Sequence, residues 1–475
     1  MRRRFLSAVC IPALALSLLA CGTVPATGQT QEAVTALTTE DPSPAQAETP
    51  EAAESEPDET QAEVTQPEQA VSEPAGSEEE EMTEQGSGAG SEQTAAVERY
   101  AIMKRVLPES EALSFTRSLG AGWNLGNTLD AYQDGSLAKD LSDELKTETC
   151  WQPVATNKEM FVAIREAGFS SVRIPVSWHN HIMDENSTIS PVWLDRVNQI
   201  VDWALEADLK VILNIHHDNH PEAKGFYPDQ AHRAQSVKYI GAVWQQLAER
   251  FRDYDDRLIF ESMNEPRLVG TESEWWFDVN EPEAAVRESI TVINELNQLF
   301  VDTVRGVEGS HRSCYLMCPG YCASADGALC EAYVLPTDAE DIRDHLIVSV
   351  HAYTPYHFAL EDNGTGEFDP FVSEDTQEIK TFQYKLYEKY VSKGIPVVIG
   401  EFGARDRDGN VEARAAFAGY YAANAAANGM PVLWWDNGAF SGSGEVFGLL
   451  DRSTGEWKYP EIRDAIVRHA IGGDP

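Results

Sequence analysis

Short apolar runs alternate with longer amphipathic segments between about residues 113 and 470. Eight of the apolar runs have the length of a β-strand and are almost continuously hydrophobic, which is typical of strands in a parallel sheet that is covered on both faces. The predicted strands are Ala121–Leu125, Ser170–Val176, Lys210–Ile215, Leu258–Met263, Cys314–Met317, Leu346–Val350, Ile395–Ile399 and Pro431–Trp435.

The segments between these runs carry apolar residues at helical spacing, so a helix is predicted between most pairs of strands. Ser324–Arg343 is the weakest of these helix predictions because it contains Pro336. The other predicted helices are Thr156–Ala167, Pro191–Glu206, Ser236–Phe251, Ala284–Val304, Thr376–Val391, Val411–Asn428 and Pro460–His469.

Eight strand–helix units over about 360 residues predict an α/β fold, a (β/α)₈ barrel, for residues 99–475. An open, doubly wound sheet that binds a nucleotide is disfavoured. The first strand lacks the glycine-rich dinucleotide fingerprint, and the chain contains no phosphate-binding P-loop.

The composition changes sharply before this region. Residues 22–98 contain no Lys, Arg, Trp, Tyr or Phe but hold 19 of the 78 acidic residues of the chain. Such a segment cannot bury enough apolar surface to offset its conformational entropy. We therefore expect a disordered acidic linker in front of one folded domain.

The first 21 residues have the pattern of an export signal. Arg2–Arg4 form a charged start, and Phe5–Leu19 form an apolar core. The sequence Leu-Leu-Ala-Cys that ends at Cys21 resembles the lipobox of bacterial lipoproteins, which implies lipidation of Cys21. An ordinary cleaved signal peptide is the alternative. The expected location is extracellular, lipid-anchored to the bacterial membrane or surface.

The strongly negative net charge of the chain disfavours nucleic acid as a partner. The net charge is −42, and it is still −26 from residue 99 onward, with 33 basic and 59 acidic residues. A field of this sign repels phosphate backbones, so nucleic acid is not an expected partner.

Five cysteines remain after the signal, without the C-x-x-C pairs of structural zinc, and we interpret them as core thiols or as including one loop disulfide.

Polar residues collect where the predicted strands end, which is where barrel enzymes carry their chemistry. Glu265 follows the fourth strand and Glu401 the seventh. Two carboxylates so placed can cleave a glycosidic bond by a retaining mechanism, one as acid and base and the other as nucleophile. The other strand ends carry Asn124 and Asn127, Arg173, His216 and His217, Asn264, His351 and Tyr353, and Trp434, Trp435 and Asp436.

These strand ends resemble family 5 glycoside hydrolases of clan A. The matching motifs include Asn264-Glu265-Pro266 after strand four, Ile399-Gly-Glu401-Phe in strand seven and Gly122-Trp-Asn-Leu-Gly-Asn127 in strand one. The resemblance is greatest to the endoglucanase, lichenase and xyloglucanase branch. It implies Glu265 as acid/base, Glu401 as nucleophile and no cofactor. It also implies that the substrate is bound by Asn127, Arg173, His216, His217, Asn264, His351, Tyr353 and Trp435.

The expected activity is therefore hydrolysis of β-1,4-glucosidic bonds by a monomer whose partner is a β-glucan polysaccharide. Xyloglucanase, mixed-linkage glucanase and mannanase are alternatives within the same chemistry, and a non-catalytic surface glycan-binding lipoprotein is an alternative from another class. The run from His216 to His220 suggests zinc, but it lacks the H-E-x-x-H motif of a zinc-binding helix, and neighbouring strand residues face opposite ways. We therefore expect no metal site. The roles of Trp275, Trp276 and residues 440–444 are left open.

Overall fold

A computed structural model describes residues 100, 102–133, 144–221, 225–442 and 444–470. The export signal, Cys21 and the acidic linker lie outside the described residues. Among the residues described, no helix is long and apolar enough to span a membrane.

Eight parallel strands form a closed barrel in which each strand pairs with its neighbours in sequence and β1 pairs with β8. This confirms the predicted (β/α)₈ fold. The barrel strands are β1 (Ala121–Leu125), β2 (Ser171–Ile174), β3 (Lys210–Asn214), β4 (Leu258–Glu261), β5 (Leu316–Ser324), β6 (Leu346–His351), β7 (Val397–Phe402) and β8 (Val432–Asp436). A small antiparallel pair follows, β9 (Leu450–Asp451) with β10 (Glu456–Trp457).

Helices cover the outside of the barrel, as the amphipathic segments predict. A first helix, α1 (Glu111–Arg117), precedes the barrel and starts at Ser110, whose side chain accepts a hydrogen bond from the N–H of Leu113. The remaining helices are α2 (Lys158–Glu166), α3 (Pro191–Glu206), α4 (Arg233–Arg250), α5 (Ala284–Gly306), α6 (Ala325–Leu329), α7 (Tyr356–Ala359), α8 (Ser373–Lys389), α9 (Val411–Ala427) and α10 (Pro460–Ala470).

The lower part of the barrel interior is apolar. One side chain from each of β3 to β8 enters a small cluster, and α1 closes it from below through Ala112 and Phe115. β1 contributes Gly122, where an added Cβ would lie 2.2 Å from the side chain of Leu433, so glycine leaves the room that this leucine occupies. The six strand residues are Ile212, Ile259, Met317, Ile347, Val398 and Leu433.

Most of the predicted bounds differ from the observed ones by one to three residues, and two elements differ by more. β5 runs to Ser324, seven residues beyond the predicted end at Met317, with a register shift against β6 between Pro319 and Ser324. The predicted helix Ser324–Arg343 was wrong beyond Leu329, because only α6 forms there and the chain is irregular from Cys330 to the start of β6.

The five cysteines of the barrel region are all free thiols, so the disulfide interpretation is not supported. Cys150 is partly exposed, and the other four are buried. Trp178, Trp193 and Trp244 are fully buried and pack in the core.

Candidate active site

The guanidinium of Arg173 lies at the centre of the upper barrel interior, where it bonds four side chains. Its Nε donates to Glu261 Oε2 at 2.7 Å, and its Nη1 donates to Glu401 Oε1 at 2.6 Å and to Asn124 Oδ1 at 3.1 Å. Its Nη2 donates to Asn264 Oδ1 at 2.7 Å. Burial alone lowers the pKa of Arg173, but the charges of Glu261 and Glu401 outweigh it, so this cation is permanent.

Glu261, which the sequence analysis missed, is a fully buried carboxylate beneath the predicted catalytic pair. Besides Arg173 it accepts hydrogen bonds from Asn214 Nδ2 at 3.0 Å and from the hydroxyl of Ser349. Burial by itself raises its pKa, but the charge of Arg173 and the contact with His351 lower that pKa to about 2. Glu261 therefore remains negative and orients Arg173 towards the cleft.

Glu401 enters the site because β7 contains a bulge. Val350 pairs with Ile399 and His351 pairs with Glu401, so the pairing skips Gly400. Val398 faces the barrel interior, and Glu401, three residues later, faces it too. The Glu401 carboxylate accepts the Arg173 bond and, on its other oxygen, a hydrogen bond of 2.9 Å from the Tyr353 hydroxyl.

Glu265 and His351 form a hydrogen-bonded pair beside Glu401. Glu265 Oε1 lies 2.9 Å from His351 Nδ1, and the same nitrogen is 3.6 Å from Glu401 Oε1. Burial alone lowers the pKa of His351, but Glu401 and the contacts with Glu261 and Glu265 raise it to about 9. The ring fits here because residue 400 is glycine, since a Cβ there would lie 3.2 Å from His351 Nε2.

The two predicted catalytic carboxylates are close together. One ligand atom each from Glu265, His351 and Glu401 lie within 4.8 Å of one another. This spacing leaves no room for a water molecule between an attacking carboxylate and a sugar, and it resembles the separation of about 5 Å found in retaining glycosidases. Burial by itself raises the pKa of Glu265, but His351 and Arg267 lower it.

Asp130, His216 and His217 form a second group at the ends of β1 and β3, and their ligand atoms also lie within 4.8 Å of one another. β3 ends at Asn214, so the expectation that His216 and His217 face opposite ways was wrong, and their rings lie 4.4 Å apart. Burial lowers the pKa of His217 to about 4 and that of His216 well below its usual value, so both rings are neutral.

The hydrogen bonds of His216 fix its tautomer and disfavour a metal. The amide oxygen of Asn214 accepts the Val176 N–H at 3.1 Å, so its Nδ2 group faces His216 Nδ1 at 3.2 Å. His216 Nδ1 then accepts a hydrogen bond, and Nε2 carries the proton. A metal ion on Nε2 would require the proton on Nδ1, which faces the Asn214 amide donor rather than an acceptor. The Nε2–H group can instead donate to a hydroxyl.

The oxygens of Asp130 already accept the backbone N–H groups of Asn127 and Thr128, at 3.0 and 2.6 Å. In the group of Glu265, His351 and Glu401, His351 donates to Glu265, and Arg173 neutralises Glu401. Both groups fit proton and hydroxyl chemistry better than they fit a metal ion.

The remaining predicted binding residues lie around this pocket. Asn264 is 3% exposed and is held by Arg173, and Asn127 is partly exposed with a left-handed φ of 54° at the end of β1. Trp435 is 7% exposed, and its ring lies parallel to that of His216 at 5.7 Å. The structure thus brings the predicted catalytic and substrate-binding residues to one end of the barrel.

Sequence reasoning missed an aromatic surface near His217. Trp151 is 41% exposed, and its ring lies 5.4 Å from His217 and 5.1 Å from Tyr132. The short helix Glu144–Thr149 before it is anchored by a hydrogen bond of 2.8 Å between Glu144 and His181. On the other half of the barrel, Trp276 is 64% exposed, and its ring meets that of Tyr356 edge-on at 5.4 Å.

Comparison with known proteins agrees with this geometry. The cellulase family, glycosyl hydrolase family 5, matches residues 138–441. Endoglucanase B of Ruminococcus albus is 40% identical over 363 residues, which cover 76% of this chain and 81% of that protein.

Among solved structures, a family 5 lichenase of Caldicellulosiruptor sp. F32, in a mutant form with cellotetraose, is 48% identical with a TM-score of 0.74. The match covers 78% of this chain and 98% of that one. A GH5-4 broad-specificity endoglucanase of Ruminococcus champanellensis with bound cellotriose is 38% identical, with a TM-score of 0.68 and coverage of 77% and 99%. The fold, the site and these matches together define a glycoside hydrolase. The chain belongs to glycosyl hydrolase family 5.

Proposed function

We propose that the protein is a retaining endo-β-1,4-glucanase that hydrolyses cellulose and related β-glucans, with Glu401 as nucleophile and Glu265 as acid/base. This proposal is supported above all by the short distance between the two carboxylates and by the difference in their hydrogen bonds. Glu401 is fixed and neutralised by Arg173 and Tyr353, whereas Glu265 shares a hydrogen bond with an ionisable imidazole.

In the first step, Glu265 acts in its protonated form, which His351 and Arg267 make the less populated form in the free enzyme. It gives its proton to the glycosidic oxygen while the Glu401 carboxylate attacks the anomeric carbon. The carbon–oxygen bond to the leaving sugar breaks, and a covalent glycosyl ester with Glu401 forms. Arg173 and Tyr353 hold Glu401 in line for this attack. Asn264, His216 and His217 are placed to bond sugar hydroxyls, and these bonds strengthen as positive charge develops on the ring.

In the second step, Glu265 is a carboxylate and removes a proton from water. The water oxygen attacks the anomeric carbon from the side that the leaving group vacated, and the Glu401 ester bond breaks. Two inversions restore the β-configuration. Proton NMR of early product should therefore show the β-anomer first, and an initial α-anomer would contradict the nucleophilic role of Glu401.

An endo mode of action is supported by the two aromatic surfaces. Trp151 with Tyr132 lies near β1 and β3, and Trp276 with Tyr356 lies near β4 and β6, so exposed rings flank the carboxylates on both halves of the barrel. The apolar faces of pyranose rings pack on such side chains. A polymer bound across both surfaces is cut internally.

Activity on carboxymethyl cellulose, barley mixed-linkage glucan, xyloglucan and mannan tests the substrate. We expect reducing ends from the first two, with a rapid fall in viscosity before much sugar is released. Greater activity on xyloglucan or mannan would replace the proposed substrate by one of these. Measurable binding without any cleavage would instead support a glycan-binding surface lipoprotein.

We also propose that the protein is exported and lipidated on Cys21, so that residues 22–98 tether the barrel to the bacterial surface. Replacing Cys21 with Ala should move the enzyme from the membrane fraction to the medium. An unchanged distribution would rule out the anchor. We expect the barrel to be monomeric, and light scattering of the purified domain measures its mass directly.

A further inference from the structure

Glu401 and Glu265 each lie beside an arginine. The arginine beside Glu265 is Arg267, and it has no role in the function proposed so far. Arg173 bonds Glu401 directly at 2.6 Å. Arg267, in the loop after β4, places its Nη1 3.6 Å from Glu265 Oε2, close enough to act by charge without a direct hydrogen bond.

The position of Arg267 is fixed by groups other than the carboxylate of Glu265. Its guanidinium lies 3.8 Å over the ring of Trp275, and its Nε is 3.3 Å from Glu274 Oε1. Its Nη1 donates to the backbone oxygen of Glu265 at 3.0 Å. Stacking on an indole and charged hydrogen bonds are the contacts that a guanidinium makes best.

The partner carboxylate is itself held in place, since Glu274 Oε2 accepts the Gly270 N–H at 2.8 Å. The side chain of Arg267 is 14% exposed, which limits solvent screening of its charge. Protonation of Glu265 therefore leaves Arg267 in place, and its field acts on Glu265 throughout the reaction.

We propose that Arg267 is a positioning residue for Glu265: held by Trp275 and Glu274, it fixes a positive charge beside Oε2 and favours the carboxylate form. This rests on the proposed function. The carboxylate is the form that activates water in the second step, whereas the first step needs the proton. Arg267 thus speeds release of the glycosyl intermediate and limits activity at alkaline pH.

Other groups also face Glu265, and the test must separate Arg267 from them. They come from the ends or loops of five strands and include both charged and neutral side chains. These groups are His217, Cys322, His351, Tyr353, Glu401 and Glu445. Burial has the largest effect on the pKa of His217 and on that of Cys322, but the charge of Arg267 also lowers both. The test therefore compares a substrate that needs the Glu265 proton with one that does not, since only the first should respond to a change at Glu265.

The experiment measures kcat/KM against pH for cellotetraose, whose leaving group needs a proton. Arg267→Met should move the alkaline limb to higher pH, because Glu265 then keeps its proton longer. Arg267→Lys keeps the charge and should leave the limb close to wild type. Trp275→Leu loosens the guanidinium and should give a smaller displacement in the direction of the Met variant.

Two controls accompany these variants. Arg233→Met removes an arginine that pairs with Glu295 on the outer helices and should leave the profile unchanged. An aryl cellobioside with a strongly acidic leaving group needs no proton from Glu265 in the first step. Arg267→Met should not displace the alkaline limb of kcat/KM for that substrate, and its cleavage also shows that the variant is folded.

An alkaline limb that stays in place in Arg267→Met would overturn the inference, and so would an equal displacement in Arg267→Lys. Either result would leave Arg267 with a structural role in its loop. A wild-type enzyme that cleaves no β-glucan would instead refute the proposed function, so the two failures are distinguishable.

Discussion

Two groups of carboxylate and imidazole side chains lie at the same end of this barrel, but the histidine of one group is charged and the histidines of the other are neutral. In the group of Glu265, His351 and Glu401, the histidine pKa rises to about 9. In the group of Asp130, His216 and His217, the pKa of His217 falls to about 4, and that of Asp130 rises to about 7.

The difference comes from the neighbours rather than from the residue types. Asp130 is buried, and the backbone N–H groups of Thr128 and Asn127 and the charge of Arg452 only partly offset the cost of its charge. His351 is surrounded by the carboxylates of Glu261, Glu265 and Glu401 and by Arg173. These opposite charges stabilise the charged forms of the side chains despite burial. One group therefore suits proton transfer and nucleophilic attack, and the other suits neutral hydrogen bonding to a sugar.

The largest effect is expected from Glu401→Ala. This variant loses the nucleophile, so kcat on every β-glucan should fall by about 10⁴-fold or more. Steady-state assays with barley glucan measure it, with Glu388→Ala on the exposed outer surface as the matched control. A loss of tenfold or less would place the nucleophile elsewhere.

Arg173→Lys should be the next most damaging change. Lysine cannot reach Glu261, Glu401, Asn124 and Asn264 together, so buried acceptors lose their donor. We expect kcat to fall by roughly 10²-fold to 10³-fold and the free energy of unfolding to fall by about 3 kcal/mol. Kinetics and urea denaturation measure the two effects, and near-normal values of both would contradict the central position of Arg173.

Protonated His351 should make stability depend on pH. Its pKa in the folded protein is raised from 6.5 to about 9, so its contribution is fully present below pH 6.5 and is lost as the pH rises through 9. The loss has an upper limit of about 3 kcal/mol. Urea midpoints between these pH values should fall in wild type and stay flatter in His351→Gln. Parallel slopes in both proteins would show that another group titrates.

The aromatic surfaces should contribute less and in a length-dependent way. Trp151→Ala and Trp276→Ala each remove an exposed ring, and we expect KM for long cello-oligosaccharides to rise by up to about tenfold with little change in kcat. Cellobiosides too short to reach both surfaces should be affected by only one variant. Exposed Phe371→Ala is the control. Equal losses on all substrate lengths would contradict the assignment of the rings to sugar binding.

Asp130→Asn should have the smallest effect. Because burial raises the pKa of Asp130 to about 7, loss of its charge should matter little at pH 6. The amide nitrogen cannot accept a backbone N–H, so one of the hydrogen bonds from Asn127 and Thr128 is lost. At about 1 kcal/mol for that bond, we expect activity at pH 6 to fall by less than about fivefold. A loss as large as that of Glu401→Ala would mean that Asp130 takes part in the reaction as an anion. The group of Asp130, His216 and His217 would then not be limited to neutral hydrogen bonding.

The sequence predicts the barrel and the positions of both glutamates well, because strand ends meet at one face of a (β/α)₈ fold. Glu261 was not found, since a carboxylate inside an apolar strand has no motif of its own and becomes meaningful only next to Arg173. The bulge at Gly400 was also invisible, because alternation along β7 would direct Glu401 away from the interior. Trp151 was missed because its loop is positioned by tertiary contacts such as that between Glu144 and His181.

Glu265 and Glu401 have different roles in the proposed mechanism, and azide rescue distinguishes the two roles. Azide needs no general base, so it should restore turnover of an activated aryl cellobioside by Glu265→Ala and give the β-glycosyl azide. In Glu401→Ala, azide should attack from the vacated side of the nucleophile and give the α-glycosyl azide. Proton NMR distinguishes these two products. If the two variants exchanged products, the roles of Glu265 and Glu401 would be reversed.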